Sequence, residues 1–321
     1  MPEMLLAVVA ILVGFVILIW SADRFVTGAA ATAKNLGMSP MLIGLTVVSL
    51  GTSAPEMLVS GIASYTDAGG LAIGNILGSN IANIGLVLGA TALIAPLPVK
   101  TGLMRKELPL LLAVTVGAGL ALLDGELDRV DGTLLAIGLV ITLILFARFQ
   151  RYADPEEVKH EEEELPEMPQ GRAILWLLIG LVLLAASSRL LVWGATDIAT
   201  ALGVSDLIIG LTIVAIGTSL PELAASITSA IKGHHDIAIG NVVGSNIFNL
   251  LAVMAIPGLI HPISFDSEVL WRDYGVMMLF TLALLAFAYV MERGKVNRLE
   301  GCLLLTGYSG YLGLLYYMTS V

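Results

Sequence analysis

Apolar runs of about 20 residues follow one another along most of the chain, with short polar segments between them. Runs of this length predict membrane-spanning helices. The first run has no basic region before it and is long enough to cross a bilayer, so we expect a span and not a cleaved signal. Ten spans are predicted, near 3–30, 41–65, 70–94, 104–123, 131–150, 172–200, 207–231, 236–259, 270–291 and 299–319.

Composition supports a membrane protein independently of the runs. The chain is 57% hydrophobic and 13% charged, and its mean hydropathy is +0.91. Soluble domains have far more charge. The single cysteine, Cys302, excludes a disulfide framework and a cysteine-based metal site. We therefore expect an all-α integral membrane protein with no resident cofactor, surrounded by lipid, with no nucleic-acid partner and no obligatory protein partner.

A polar segment between spans five and six divides the chain. It contains prolines and seven glutamates, namely Glu156, Glu157, Glu161, Glu162, Glu163, Glu164 and Glu167. Such a charge run is typical of a solvated linker. The alternative, a Ca²⁺-sensing loop, lacks the glycine and the ligand spacing of an EF-hand. The predicted organisation is a first five-helix unit at 1–150, a linker at 151–170 and a second five-helix unit at 171–321.

The two units are copies of each other. Residues 43–56 and 209–222 are identical at ten of fourteen positions, and 74–83 and 240–249 at seven of ten. The offset from 43 to 209 equals the offset from 74 to 240, and a constant offset through two blocks indicates duplication of the whole unit. Because each unit has five spans, an odd number, the second copy must enter the membrane in the opposite direction. The predicted architecture is an inverted repeat.

Basic residues predict how the chain is oriented. Thirteen of the lysines and arginines lie in the loops on the side of the linker, and two, Arg129 and Arg272, lie on the other side. Basic loops face the cytoplasm. We therefore expect a protein of the cell (inner or plasma) membrane, with a cytoplasmic linker and with both termini outside.

Polar residues in four of the spans recur at helical spacing. Span two carries Ser49, Thr52, Ser53, Glu56 and Ser60, and span seven carries Ala215, Thr218, Ser219, Glu222 and Ser226. Span three carries Asn75, Ser79 and Asn83, and span eight carries Asn241, Ser245 and Asn249. Each set shares one helical face, so we expect the four faces to avoid lipid by meeting one another. For a single serine or threonine, a bond back to its own helix is the alternative interpretation.

Prolines and glutamates suggest what these faces bind. Pro55 and Pro221 should each interrupt a helix and release carbonyl oxygens. Hydroxyls, carbonyls and carboxylates form an oxygen-only ligand set, which suits hard cations such as Ca²⁺ and Na⁺. No lysine or arginine lies on the four faces, so Glu56 and Glu222 must be protonated or must bind cations. Two carboxylates balance one Ca²⁺ or two Na⁺.

The paired motifs resemble those of a known family. Gly51–Glu56 with Gly78–Asn83, and Gly217–Glu222 with Gly244–Asn249, resemble the two α-repeats of the Ca²⁺/cation antiporter superfamily, within it the Na⁺/Ca²⁺ exchanger branch of prokaryotes. The resemblance implies ten helices, alternating access, and one Ca²⁺ site flanked by Na⁺ sites at the bilayer midplane. It also implies that spans one and six slide across the other eight.

The resemblance also implies a role for each matching residue. Glu56 and Glu222 would be the central Ca²⁺ ligands, together with the carbonyls of Thr52 and Thr218. The Na⁺ sites would use Ser53, Ser219, Ser79 and Ser245, with the carbonyls of Ser49 and Ala215. Asn83 and Asn249 would line the centre.

Position 249 departs from part of the family. Some prokaryotic members and the K⁺-dependent exchangers have aspartate there, whereas this chain has Asn249 and therefore two carboxylates instead of three. The difference argues against K⁺ cotransport. Glutamates can also carry protons, so H⁺/Ca²⁺ exchange is the alternative function. A channel or an intramembrane protease fits less well, because the halves are inverted and no histidine lies in a span core.

Overall fold

The computed structural model describes residues 2–66, 68–99, 102, 105–151, 165–203, 213, 215–265, 269–289 and 294–320. Within these ranges the chain forms ten helices, two of them broken. They are α1 (Pro2–Leu36), α2 (Pro40–Thr52 and Ala54–Tyr65), α3 (Gly69–Ile94), α4 (Glu107–Ala121), α5 (Arg129–Arg151), α6 (Gln170–Ala201), α7 (Ala215–Thr218 and Leu220–Ile231), α8 (His235–Ile260), α9 (Val269–Tyr289) and α10 (Arg298–Ser320). Each predicted span has its helix, and the predicted start of span seven lies outside the described residues.

Length and burial separate central helices from peripheral ones. In the described part of the chain, six helices are long and apolar enough to cross a membrane, and α2 makes a seventh if its two parts form one span. The most apolar window is 78% buried in α3 and in α8, but only 28% buried in α1 and 33% in α6, and α5 and α9 are as little buried as these two. A membrane helix with little buried surface faces lipid. Helices α3 and α8 therefore lie at the centre of the molecule, with α1 and α6 at its edge.

Helices α2 and α7 are broken at equivalent positions. The break falls at Ser53 in α2 and at Ser219 in α7, and a proline follows two residues later in each, Pro55 and Pro221. A proline has no N–H to donate to the carbonyl four residues earlier, so the helical ladder cannot continue. The two parts of α2 are bent by 43°. The predicted interruptions are confirmed.

Helices α3 and α8 contain a feature that the sequence pattern did not predict. Each changes from α-helix to a π-helical turn, at Asn83–Leu88 in α3 and at Asn249–Val253 in α8. A π turn accommodates an extra residue and is frequent at functional sites. In both helices the turn begins at the asparagine that was expected to line the site.

Contacts between α1 and the start of α6 define one end of the molecule. Lys34 Nζ, near the end of α1, lies 3.0 Å from the carbonyl oxygen of Leu165 and 3.3 Å from Glu167 Oε1. Leu165 is buried. We call this the linker end, since residues 165–169 lead into α6 there. The other linker glutamates, within 152–164, lie outside the described residues.

Two small antiparallel strand pairs show directly that the repeats are inverted. Strand β1 (Leu97–Pro98) pairs with β4 (Lys295–Val296), and β2 (Glu126–Leu127) pairs with β3 (Ile263–Ser264). By sequence β1 and β3 are equivalent, because Ile263 follows Leu97 at the offset that separates the two repeats. Strand β1 lies at the linker end. Helix α4 follows it and leads to β2 at the opposite end, where β2 pairs with β3. Equivalent strands thus lie at opposite ends, which confirms the inversion and adds four short strands to the expected all-α fold.

The last helix of each repeat begins with the same capping arrangement. Asp128 Oδ1 accepts hydrogen bonds from the N–H groups of Val130 and Asp131, and Asp131 Oδ2 accepts one from Asp128 N. These backbone donors hold the pKa of Asp128 below its usual value. Asn297 and Glu300 repeat the arrangement at α10, where Glu300 Oε2 lies 2.6 Å from Asn297 N. Both are reciprocal caps that fix where the helix starts.

Helices α1 and α6 pack along each other at backbone distance. A Cβ atom on Gly28 would clash with Leu177 N, and one on the equivalent Gly194 would lie 2.8 Å from the carbonyl oxygen of Ala7. Gly180 meets the α1 backbone in the same way. Real Cβ atoms do not come so close, so these positions require glycine. Small residues let membrane helices approach closely without a hydrophobic drive between them.

Candidate functional site

The four predicted polar faces meet in the centre of the molecule. On α2, Ser49, Thr52, Ser53, Glu56 and Ser60 are all buried. On α7, Ser219, Glu222 and Ser226 are buried, and on α3 and α8 so are Ser79, Asn83, Asn241, Ser245 and Asn249. Direct hydrogen bonds join α2 to α3, α7 to α8, and the two repeats to each other. The expectation that these faces avoid lipid by contacting one another is confirmed by the contacts.

The two glutamates are the most costly groups in this cluster. Glu56 is 1% exposed and Glu222 is fully buried. No lysine or arginine is among the buried side chains of the described residues. A buried carboxylate without a positive partner is strongly destabilising. The arrangement therefore calls for a cation or a proton from outside the chain.

Each repeat holds its glutamate helix with an asparagine from the neighbouring helix. Asn75 Nδ2 lies 2.9 Å from Ser60 Oγ and 3.3 Å from the carbonyl oxygen of Glu56. Asn241 Nδ2 makes the equivalent bonds, at 2.9 Å to Ser226 Oγ and at 3.3 Å to the carbonyl oxygen of Glu222. The sequence placed these residues on the polar faces but not among the ligands. In the structure they fix the orientation of α2b and α7b, the parts of α2 and α7 that follow the breaks.

Two further contacts cross between the repeats. Thr52 Oγ1 lies 3.1 Å from Asn241 Oδ1, and Ser53 Oγ lies 3.3 Å from Glu222 Oε1. A hydroxyl donates in each case, because amide and carboxylate oxygens are acceptors. The first repeat therefore helps to position the carboxylate of the second. The two halves of the cluster form one site and not two separate ones.

Several buried polar atoms of the cluster have no hydrogen-bond partner. They are Glu56 Oε2, Glu222 Oε2, Ser219 Oγ, Ser245 Oγ, and both amide atoms of Asn83 and of Asn249. Buried polar atoms are nearly always bonded, so a concentration of open ones indicates a missing ligand. Six of these eight atoms are oxygens, the donors that Ca²⁺ and Na⁺ prefer. The residues present fit a hard cation.

The remaining candidate ligands lie around the breaks. Ser49 Oγ donates to the carbonyl oxygen of Thr46, and the carbonyl oxygen of Ser49 itself accepts from Ser53 N and from Thr52 Oγ1. Ala215 and Thr218 begin and end the four-residue helix that precedes the break in α7. Ser79 is buried on α3, one helical turn before Asn83. Every candidate ligand predicted from the sequence thus belongs to one of four helices, α2, α3, α7 and α8.

One residue near the site was missed by the sequence analysis. Ser188 on α6 is buried and its Oγ lies 2.6 Å from the carbonyl oxygen of Gly217, the oxygen that Pro221 leaves without its helical donor. Its neighbour Ser187 only donates within its own helix, to Leu184. The adjacent serines look alike in the sequence, and only the position of α6 against α7 distinguishes them.

Comparison with known proteins identifies the family. A model of the sodium/calcium exchanger protein family matches residues 6–148 and 172–317, nearly the whole of both repeats. The chain belongs to the sodium/calcium exchanger family. Members of this family are membrane antiporters, so the expected class of transporter, and not enzyme, is confirmed. The family match also leaves out residues 149–171, where the linker was predicted.

Individual relatives of this exchanger cover its full length. The putative antiporter CaxA of Alkalimonas amylolytica is 49% identical over 98% of this chain and 99% of its own. The inner membrane protein YrbG of Escherichia coli K12 is 42% identical over 99% of each chain. A solved structure of the sodium-calcium exchanger NCX_Mj, soaked with Na⁺ and Sr²⁺, is 34% identical and superposes with a TM-score of 0.84 over 97% of this chain and 99% of that one. These comparisons confirm the predicted inverted-repeat fold.

Proposed function

We propose that this exchanger moves Ca²⁺ against Na⁺, one after the other, through the central cluster of oxygen ligands. The observation that carries the proposal is the pair Glu56 and Glu222, buried in equivalent positions, each with an oxygen that lacks a partner. Two carboxylates are neutralised by one Ca²⁺ or by two Na⁺. The two cations then compete for the same charges, which is the physical basis of exchange.

The proposed ligands are the residues that match the motifs of the exchanger family. Ca²⁺ would bind between Glu56 and Glu222, with the carbonyl oxygens of Thr52 and Thr218. Na⁺ would use the hydroxyls of Ser53, Ser219, Ser79 and Ser245, with the carbonyl oxygens of Ser49 and Ala215, while Asn83 and Asn249 line the centre. The partnerless oxygens of Ser219 and Ser245 support this division.

The asparagine at position 249 limits which ions the site takes. Asn249 is fully buried in the cluster, and it supplies a neutral amide where a third carboxylate would add negative charge. We propose that the site needs no K⁺ for neutrality and holds no resident cofactor. The likeness to NCX_Mj supports Na⁺ as the counter-ion, since that protein is a sodium-calcium exchanger.

Transport requires the site to open to the two sides in turn. We propose that α1 and α6, which are joined by their glycine contacts, move together across the other eight helices. The linker end would face the cytoplasm, with 151–170 as a linker between the repeats 1–150 and 171–321, and both termini would lie outside. The thirteen basic residues on the linker side support this orientation, and the description of YrbG as an inner membrane protein supports the location.

Proton-coupled Ca²⁺ transport is the second candidate. The observation that favours it is the same pair of carboxylates, because a buried glutamate can be neutralised by a proton as well as by a cation. The two functions predict different dependence on the imposed gradient, so they can be separated in one preparation.

The test is transport by the purified protein in sealed vesicles. We expect Ca²⁺ uptake when the vesicles contain Na⁺ and the outside does not, at equal pH on both sides. Uptake that follows a pH gradient and ignores Na⁺ would establish the proton-coupled function instead. A Ca²⁺ current without movement of any counter-ion would exclude exchange and indicate a channel.

A further inference from the structure

The contact between Ser188 and Gly217 joins the edge helices to the broken helix of the site. Ser188 lies on α6, is 5% exposed, and places Oγ 2.6 Å from the carbonyl oxygen of Gly217. That oxygen has lost its helical donor because the residue four positions later is Pro221. A buried carbonyl without a donor is costly, so the hydroxyl stabilises the position of α6 against α7.

The other repeat cannot make this bond. At the offset that separates the repeats, Gly217 corresponds to Gly51 and Ser188 corresponds to Ala22. Alanine has no hydroxyl to donate. Gly51 instead faces two apolar side chains, and a Cβ atom there would lie 3.1 Å from Leu181 Cδ1 and 3.5 Å from Phe25 Cζ. The two repeats therefore contact the edge helices in chemically different ways.

The space beside Gly217 shows the same difference. A cavity of about 260 Å³ lies between α1, α6 and α7, and its lining includes Gly217, Phe15 and Leu191. Phe15 and Leu191 are the equivalents of Leu181 and Phe25 in the opposite repeat, at the same offset. In one repeat the pair of apolar side chains packs on the glycine. In the other the pair lines the cavity, and Val192 of α6 contacts the glycine instead, too closely to leave room for a Cβ atom there.

Inverted repeats give a simple account of the second conformation. When such a transporter alternates, each repeat takes the arrangement that the other had before. Phe15 and Leu191 would then replace Val192 on Gly217 and fill the cavity, while Leu181 and Phe25 would leave Gly51. The hydroxyl of Ser188 would leave the carbonyl oxygen of Gly217. The Ser188 bond thus belongs to only one of the two conformations.

We propose that Ser188 is a positioning residue that biases the exchanger toward the described conformation, in which a cavity lies beside Gly217 and apolar side chains pack on Gly51. The proposal rests on the proposed function, since it requires alternating access. Because Ala22 offers no matching bond, the opposite conformation lacks this stabilisation. The apparent affinity for Ca²⁺ should then differ between the two faces of the membrane, since each face sees only the fraction of protein that is open to it.

The first experiment measures the Michaelis constant for Ca²⁺ separately at each face, in vesicles that contain oriented protein. The cavity beside Gly217 lies toward the end opposite the linker, because α6 begins at the linker end and Gly217 lies in the part of α7 that follows it, before the break. In Ser188→Ala we therefore expect the constant to rise at that face and to fall at the linker face, with a total change of about 2- to 10-fold for one hydrogen bond. Ala22→Ser offers the missing bond to the second conformation and should act in the same direction. Damage to the ion ligands would instead raise both constants.

A neighbouring serine provides the control. Ser187 is buried like Ser188, but its hydroxyl donates to the carbonyl oxygen of Leu184 in its own helix. Ser187→Ala should leave both constants unchanged, and Ser188→Thr, which keeps a hydroxyl, should restore the native ratio. Equal constants at both faces in the native protein, or a Ser188→Ala variant with the native ratio, would overturn the proposal.

A second measurement does not depend on transport. Spin labels at two exposed positions, Val182 on α6 and Ile137 on α5, report the position of the edge helices in a Cys302→Ala background. We expect Ser188→Ala to enlarge the population at the second distance. An unchanged distance distribution would reject the role of Ser188 even if Na⁺/Ca²⁺ exchange is confirmed, and a shifted one would support it even if the driving ion proves to be H⁺.

Discussion

Replacing Glu222 by glutamine should strongly weaken Ca²⁺ binding and leave the fold intact. The change removes one negative charge, keeps the shape of the side chain, and retains an oxygen that can accept from Ser53, which now lies 3.3 Å from Glu222 Oε1. The neutral side chain also relieves the burial of a carboxylate, a cost of about 2.5–3.5 kcal/mol near the bilayer centre. The ion-free variant should therefore be at least as stable as the native protein.

The loss of affinity can be bounded from the burial of the site. Glu222 is fully buried, so water screens it little. Unit charges at about 4 Å attract by about 4 kcal/mol at an effective dielectric constant of about 20, and a divalent ion doubles that. Desolvation cancels part of this attraction, and removal of one partner from a buried charge pair costs about 2–5 kcal/mol. We therefore expect the dissociation constant for Ca²⁺ to rise at least about 30-fold.

The assay is Ca²⁺-dependent thermal stabilisation of the purified protein, with uptake in vesicles as a second readout. The melting temperature of the native protein should rise when Ca²⁺ is added. Without Ca²⁺, the melting temperature of Glu222→Gln should equal or exceed that of the native protein, and adding Ca²⁺ should hardly change it. Glu56→Gln should behave in the same way. A variant that keeps Ca²⁺ affinity within about threefold of native, or that loses stability without ions, would refute the reasoning.

Glu300 gives a matched control for this prediction. It is another fully buried glutamate, but its Oε2 accepts a hydrogen bond from Asn297 N at the start of α10, outside the site. Glu300→Gln replaces that charged acceptor at a helix N-terminus by a weaker one. We expect a loss of about 0.5–1 kcal/mol of stability and unchanged Ca²⁺ affinity, the opposite pattern.

Three further changes test other parts of the structure. Asn249→Asp adds a titratable acid to the site, so the pH profile of transport should shift, and an unchanged profile would show that position 249 does not face the ions. Lys232 Nζ lies 2.6 Å from Asp23 Oδ1, between the end of α7 and α1. Reversing either charge alone should lower the melting temperature slightly, and reversing both should restore it. A double variant that is no more stable than the single variants would refute the pairing. Gly180→Leu should strongly lower the temperature of thermal unfolding, because its Cβ atom would lie 2.5 Å from the α1 backbone. Gly171→Leu should have little effect, because the space beside Gly171 is open. Equal effects of the two substitutions would contradict the close packing.

The sequence predicted the large features because they depend on local rules. Ten apolar runs predict ten helices, Pro55 and Pro221 predict two breaks, and an odd number of spans in each copy predicts inversion. The polar faces were also predicted, because serine, asparagine and glutamate at helical spacing cannot all face lipid. Each of these inferences needs only neighbouring residues and the properties of the bilayer.

Features that depend on contacts between distant segments were not predicted. The π turns at Asn83 and Asn249 have no signal in the residues that form them. The strand pairs are two residues long, too short for an alternating pattern, and their partners are far apart in the chain. Ser188 could be distinguished from Ser187 only once α6 was placed against α7. In each case the deciding partner lies in another helix or in the other repeat.

The strand pairs have a consequence for how the chain is made. Strand β1 finds its partner in β4, and β2 finds its partner in β3, so neither pair can form within one repeat. During synthesis the first five helices enter the membrane with both strands unpaired. Strand β2 can pair once β3, which precedes α9, has emerged, whereas β1 must wait for β4, which directly precedes α10. The final assembly step therefore takes place after translation of α10 begins, and the two halves complete their folding together.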